Sequence, residues 1–322
     1  MSRTVVVGVC TFRRPSLRET LLSLASQRVP GGLVLRIAVA DNDEGPSARD
    51  LVSGASAEVA RSIAYLHCPA RNISVARNAL LDLAHGEGAD LVAFLDDDEW
   101  VGPDWLAQMV RALDGAGADA VFGPVRGVYA DDAPRWMRAG SLHDVEPELG
   151  RDGQVRTGYA GNVLMAPDAP SLLGRRFDPA LGRSGGEDTA FFAGAKADGA
   201  VLVTAPEAVA FEHVPPERTR IGWLVQRRFR MGQTHGQLIG RDVSPARRTA
   251  MAAVACAKVV ASLALAVPVA HRPERRGRAL LRGCLHAGAV SSLVGMRSLA
   301  LYGSDALPSP IRPTPSDHGA RR

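Results

Sequence analysis

Residues 4–11, TVVVGVCT, form an uncharged run rich in β-branched side chains. That is the pattern of a strand covered on both faces. The polarity then changes period. After Arg13, Arg14 and Pro15, the leucines Leu17, Leu21, Leu22 and Leu24 recur at helical spacing, which predicts a helix reaching residue 27 with proline near its start. The same two beats repeat. Residues 35–40 read as a strand ending at Asp41-Asn42-Asp43, and 46–60 as a helix. Residues 63–67 make a third strand, and Ser74 stands where an N-cap is wanted for a helix through residue 84. Residues 91–95 give a fourth strand, 103–113 a helix, and 118–125 a further strand. Apolar strands alternating with amphipathic helices predict an α/β fold with a largely parallel sheet and helices on both faces.

Beyond this the rhythm weakens. Residues 131–158 are rich in charge, Gly and Pro, and read as loops. A strand follows near 159–165. The glycine loop GRSGG then runs into a helix whose first turn holds Glu187 and Asp188, where anions are favoured. Residues 201–204 and 208–211 are short strands, and 221–238 a basic amphipathic helix. From residue 244 the chain turns to Ala-rich helices. Their longest uncharged runs cover 259–270 and 283–296, 12 and 14 residues, against the roughly 20 that a membrane span requires. Two readings fit: a pair of helices lying on a membrane with arginines toward the headgroups, or a helical cap on the body. The expected organisation is a catalytic unit at 1–240, a basic helical region at 241–304, and a disordered Pro/Ser-rich tail at 305–322.

Charge sharpens that division. Residues 1–240 carry 25 basic and 30 acidic side chains, and residues 241–322 carry 13 and 4. A mildly acidic body with a basic tail implies an anionic partner for the tail, a membrane surface or a nucleic acid. The four cysteines are far apart, with no zinc spacing, and read as free thiols in a reducing compartment. The first strand starts too early to follow a secretory signal, which places the expected protein on the cytoplasmic side.

The stretch AFLDDDEWVGPDW drives an apolar strand straight into four acids. In open α/β sheets ligands gather at the carboxyl ends of the strands, and Asp41-Asn42-Asp43 emerges at the same edge. Asp96, Asp97 and Asp98 have three possible jobs: binding a divalent cation, supplying a base, or forming a solvated turn. A bridging cation would neutralise a departing diphosphate, which suits transfer from a nucleotide-activated donor. Neither GxGxxG nor GxxxxGK[ST] follows the first strand, which argues against dinucleotide oxidoreductases and P-loop NTPases. Asp188 is the candidate base, beside Gly185 and Gly186, which allow close backbone approach; helix capping is the alternative for the Glu187–Asp188 pair.

Five pieces, VVVGVCTFRRPSLRETLLSLASQ, AVADND, NISVARNALL, AFLDDDEWVGPDWL and SGGEDTAFF, taken together resemble family 2 glycosyltransferases of the GT-A fold. The resemblance covers roughly residues 4–240 and implies a Rossmann-like nucleotide-sugar domain with a mixed, mostly parallel sheet. DDAPRWMRAG, TGYAGNVLM and RRFRMGQTHG are similar to bacterial glucosyltransferases that extend succinoglycan-type exopolysaccharide units.

The resemblance implies that Thr11 and Asp41 contact the nucleotide base and Arg77 the base or diphosphate. It places Asp96 and Asp97 on the ribose side of a DxD-type motif, Asp98 as the metal ligand, and Asp188 as catalytic base with Glu187 beside it. QRRFRMG resembles the QxxRW element of processive relatives but has Phe229-Arg230 in inverted order, which argues against polymerisation. Arg227 or Arg230 would touch diphosphate or form a solvated face. His213 is open to a metal or phosphate contact or to packing, and Trp100 and Trp136 to sugar stacking or packing.

The implied reaction is inverting transfer of a hexose, glucose first, from a UDP-sugar with Mg2+ or Mn2+. The implied acceptor is a hydroxyl of a lipid-linked oligosaccharide. The basic helices would hold the protein peripherally on the cytoplasmic face of the anionic inner membrane, with no nucleic acid involved. A nucleotidyltransferase using the same acids, or a non-catalytic membrane scaffold, are the alternatives.

Overall fold

The computed structural model describes residues 2–241 and 243–296; the tail expected from residue 305 lies outside them. In chain order the elements are β1 (Arg3–Thr11), α1 (Leu17–Ala25), β2 (Leu33–Asp41), α2 (Arg49–Glu58), β3 (Ile63–His67) and α3 (Ile73–Gly86). Then come β4 (Leu91–Asp96), β5 (Glu99–Val101), α4 (Trp105–Ala116), β6 (Ala120–Phe122), β7 (Val125–Tyr129), α5 (Arg135–Ala139), β8 (Glu148–Leu149) and β9 (Val155–Thr157). The chain continues through β10 (Asn162–Met165), α6 (Glu187–Ala197), β11 (Leu202–Thr204), β12 (Ala210–Val214), a 3-10 turn at Pro216–Thr219, α7 (Ile221–Gly240), α8 (Pro245–Ala266) and α9 (Pro273–Leu293).

Seven strands form one sheet in the order β11-β6-β10-β4-β1-β2-β3. Every neighbouring pair is parallel except those of β10, which runs antiparallel to β4 and β6. This is a GT-A-like α/β architecture with a mixed, mostly parallel sheet. A smaller sheet, β5-β12-β7, and a hairpin of β8 and β9 stand beside it. The two-residue alternation of β1 feeds two cores. Val5, Val7 and Val9 pack with Leu21, Leu24, Trp105 and Met109 of α1 and α4 on one face. Val6 packs with Leu80, Phe94, Phe177 and Phe192 on the other.

Several local expectations shift. The N-cap of α3 is Asn72, whose side chain accepts from the Ser74 and Val75 amides. Ser74 sits inside the first turn, and its hydroxyl donates to Asp178 O at 2.8 Å. The strand expected over 118–125 is two strands, β6 and β7, in different sheets. The region read as loops contains α5 and the β8–β9 hairpin.

The three last helices form one packed unit. α7 and α9 cross through glycine: a Cβ on Gly232 would lie 1.8 Å from Leu285 O, and one on Gly288 1.8 Å from Phe229 O. Only residues without a side chain permit that approach. Although the expected boundary at residue 240 groups α7 with the body, its long contact runs along α9. Trp136 packs against Gly277 of α9, and Met137, Leu142, Leu224 and Leu281 make a small core joining the body to α7 and α9. Trp136 is thereby a packing residue. α8 differs. It has 22 residues, with a mean hydropathy of 1.9 over its most apolar window, and only 17% of that window is buried. Its length and composition suffice to cross a membrane, because Lys258 merely interrupts an apolar stretch that begins earlier. α9 therefore behaves as a cap, and α8 carries an uncovered apolar surface.

Candidate functional site

The sheet register places the site. Thr11 at the end of β1 pairs with Asp41 at the end of β2, and Cys10 pairs with Asp96 at the end of β4. Three strand ends thus present Thr11, Asp41 and Asp96 along one rim. Asp97 and Asp98 make the turn from β4 into β5. Thr11 Oγ1 donates to Asp97 Oδ2 at 2.7 Å, and the Phe12 amide approaches the same oxygen at 3.4 Å. Asp98 Oδ2 stands 3.5 Å from Arg14 Nη1 and 3.4 Å from Arg218 Nη2. Arg218 also binds Glu212, which lies across the β5–β12 ladder from Glu99.

Crowding acids at a desolvated rim disfavours their charged forms. Burial first, then Asp98, pushes Asp97 up to about 7. Burial likewise raises Asp96 to about 6, with Arg77 opposing the shift, although half of its side chain still faces the cleft. Burial and neighbouring Asp96 and Asp98 lift Glu99 well above its ordinary value, and burial with Asp98 raises Glu212. The rim holds more carboxylate than its arginines neutralise.

The opposite wall is the glycine loop and α6. Gly185 and Gly186 have φ of 83° and 93°, a region that favours glycine, and Gly186 caps α6. Arg230 on α7 donates to Ser184 O, bracing this loop. Glu187 points inward to Arg77: Nη1 and Oε1 are 2.5 Å apart, with side-chain exposures of 7% and 8%. Arg77 Nη2 also stands 3.7 Å from Asp96. Burial opposes the Arg77 charge, but Glu187, Asp96 and Asp188 outweigh it and hold the guanidinium firmly protonated. Asp188 faces outward. Its Oδ1 accepts from the Thr189 amide at 2.6 Å, and its charge is felt by Arg77 and Asp96. The Glu187–Asp188 pair divides its work, one member locked into a buried ion pair and the other at the cleft.

Thr11, Arg77, Asp96, Asp97, Asp98, Glu187 and Asp188 are therefore brought together. Asp41 reaches the rim but is fully buried. Its carboxylate already accepts from the Asp43 and Ala48 amides and from Tyr65 Oη, at 3.1, 2.8 and 2.8 Å. It organises the turn after β2. Arg227 stacks on Trp223 at 5.1 Å and lies near enough to Glu212 to support its charge. Arg230 is committed to the glycine loop. His213 and Trp100 pack with tilted rings at 4.2 Å, and His213 meets Glu19 at 3.3 Å; this pair sits at the exposed surface of the small sheet.

Residues 6–176 match the family described as Glycosyl transferase family 2. The chain is 48% identical over 298 residues to the "Succinoglycan biosynthesis protein ExoM" of Rhizobium meliloti (strain 1021), covering 92% of this chain and 95% of the relative. The chain belongs to glycosyl transferase family 2. It is a glycosyltransferase, which sets aside the nucleotidyltransferase and scaffold alternatives. Solved structures agree on the fold. The mannosyltransferase PcManGT from Pyrobaculum calidifontis, solved with GDP-Man and Mn2+, aligns with a TM-score of 0.58 at 21% identity, covering 91% of this chain and 88% of that one. S. aureus TarS 1-349 in complex with UDP aligns at 0.51 and 15% identity, covering 88% and 90%.

The residues of this glycosyltransferase fit a hard divalent cation. The donors are carboxylate oxygens, they carry excess negative charge, and two guanidinium groups already lean on Asp98. Among the described residues no three His, Cys, Asp or Glu side chains converge to enclose a metal, so substrate oxygens would complete its shell. Three participants escape the sequence reading: Arg14, Arg218 and Glu212. Arg14 comes three residues after β1 and Arg218 four after β12, so each is a cation just past a strand end. That signal is visible once the strand order is known.

Proposed function

We propose that the protein is an inverting, metal-dependent transferase that moves a hexose, glucose first, from a UDP-sugar. The acceptor is a hydroxyl of a lipid-linked oligosaccharide, in the building of an exopolysaccharide or related cell-surface glycan. The observation that carries the reading is the facing pair of walls: the Asp96–Asp98 turn at the strand ends, and Asp188 at the start of α6. The 48% identity to a succinoglycan biosynthesis protein supports the pathway class. The UDP-bound relative supports the donor class.

In this mechanism Thr11 and the turn built by Asp41 border the nucleotide base, while Asp96 and Asp97 border the ribose. Asp98 would hold Mg2+ or Mn2+, which supplies charge neutralisation for the diphosphate. Arg77, fixed by Glu187, adds positive potential on the diphosphate side, and on α7 Arg227 adds more from beside Trp223 and Glu212 while Arg230 braces the glycine loop. Asp188 takes the proton from the acceptor hydroxyl. That oxygen forms a bond to the anomeric carbon as the bond to the diphosphate oxygen breaks, which inverts the configuration. The uncovered apolar surface of α8 and the basic α9 support peripheral attachment to the cytoplasmic face of an anionic inner membrane, where such acceptors are met.

The test is Asp188→Asn. A general base contributes about 10²–10⁴-fold, so transfer from UDP-glucose to a membrane lipid extract should fall by that factor while UDP binding by calorimetry is kept. Turnover equal to the parent's removes Asp188 from its role.

A further inference from the structure

An apolar groove of about 360 Å3 opens between α7, α8 and α9. Ile221 and Val225 form one wall, Val259 and Leu263 a second, and Leu280 with Ala287 a third; Cys284 lies among them. No polar side chain lines it, and its size falls in the roughly 300–1,000 Å3 range of small-molecule sites. Two observations say what it takes. First, its α8 wall belongs to the helix whose Val260, Leu263 and Leu265 are 50–67% exposed, so the groove opens toward the apolar medium that surface requires. Second, its α7 wall begins at Ile221, three residues after Arg218, which touches Asp98. Three residues span at most about 11 Å. The groove's first residue is thus a short stretch of chain from the rim of the reaction site, and Arg218 and Arg220 lie on that stretch.

We propose that this groove seats the first segment of the hydrocarbon chain of the lipid-linked acceptor, drawn from the bilayer so that its anionic linkage lies toward those arginines. The inference rests on the lipid-linked acceptor reading and adds where the lipid is gripped. It makes the chain a recognition element, felt in acceptor KM.

Two variants of the full-length protein test it. Ala287→Phe fills the groove, and Leu263→Gln wets a wall that is already half-exposed, which leaves folding intact. With UDP-glucose and a membrane lipid extract, each should raise KM for the extract about tenfold, roughly the loss of two buried methylenes. KM for UDP-glucose and co-sedimentation with vesicles should stay unchanged. A second readout needs no turnover. In Cys256→Ser protein, dodecyl phosphate below its micelle-forming concentration should protect Cys284 from maleimide, read by mass spectrometry, and ethyl phosphate should not. Unchanged KM in both variants overturns the groove. So does absent protection, or equal protection by ethyl phosphate or by phosphatidylcholine vesicles alone, the last meaning that bilayer simply covers it. A parent enzyme that uses the acid-released oligosaccharide as readily as the lipid-linked extract sinks the acceptor reading separately, and the thiol assay still judges the groove.

Discussion

Replacing Arg77 with methionine should unfold this protein more readily than removing both members of its ion pair. Arg77 and Glu187 are each more than nine-tenths buried and 2.5 Å apart. Glu187 Oε2 has no hydrogen-bond partner, so the arginine is the main compensation for a desolvated carboxylate, and Asp96 stands 3.7 Å from the same guanidinium. Removing one partner of a buried pair costs about 3–5 kcal/mol, whereas replacing both with neutral groups of similar volume is close to neutral. Arg77→Met should therefore lower Tm by about 10 °C. Arg77→Met/Glu187→Gln should recover most of that. The deficit should also depend on pH. Burial already raises Glu187 above its ordinary pKa, and losing Arg77 raises it further. A folded carboxyl above its unfolded pKa costs stability progressively as pH rises from about 4.5. The single variant should thus be worse at pH 8 than at pH 5. Urea unfolding followed by circular dichroism at both pH values decides the matter. A double variant as unstable as the single, or a deficit that shrinks with rising pH, refutes the reasoning.

His143 carries the next expectation. It is buried, its Nδ1 accepts from Tyr129 Oη at 2.7 Å and its Nε2–H donates to Arg218 O at 3.0 Å, and burial depresses it to about 4. The unfolded chain binds this proton first, so stability present above pH 6.5 is lost on acidification toward 4, about 3 kcal/mol in all; His143→Gln should flatten the fall of the urea midpoint between pH 7 and 4.5. Asp98→Ala should abolish the gain in UDP affinity on adding Mn2+ while leaving metal-free UDP binding intact, since Arg14 and Arg218 then have one rim carboxylate fewer to satisfy; calorimetry that still shows a Mn2+ effect argues against Asp98 as ligand. Gly288→Val puts a side chain against Phe229 O, so α7 and α9 should separate at a cost of about 3 kcal/mol. Limited proteolysis should then cut near α9 while UDP affinity is kept.

The parts of the site legible in the sequence are those set by local pattern. An apolar strand that ends in acids announces a rim, and the rim is where Thr11, Asp96, Asp97 and Asp98 stand. Glycines before Glu187 and Asp188 announce a tight entry into a helix, and α6 begins there. What stayed hidden needs the third dimension. That Glu187 turns inward to a partner 110 residues away, while Asp188 turns outward, follows from one step of helical rotation against a core the sequence does not order. Asp41 looked like a free carboxylate at a strand end; only the fold shows Tyr65 and the Ala48 amide closing over it. Ser74 and Asn72 are both good caps, and the choice goes to the residue whose backbone leaves the helix first. Arg14 and Arg218 are missed for the converse reason: a cation beside an acidic turn is one of 36 arginines until the small sheet brings β12 against β5.

That small sheet also bears on how the site works. Glu212 and Glu99 oppose one another across β5 and β12, directly behind the turn that holds Asp98, and burial raises both. Arg218 spans Glu212 and Asp98, so its charge is shared between an interior acid and a rim acid. A cation on Asp98 and a diphosphate beside it would pull these charges in opposite directions, freeing Asp98 from the guanidinium while offering Arg218 a stronger anion. The groove begins three residues beyond Arg218, at Ile221. On the proposed reading, Arg218, which would meet the donor's charge, is therefore covalently next to the segment that would grip the acceptor's lipid. Ordering of one end of this short linker would restrict the other, which would give donor and acceptor sites a physical route to influence each other.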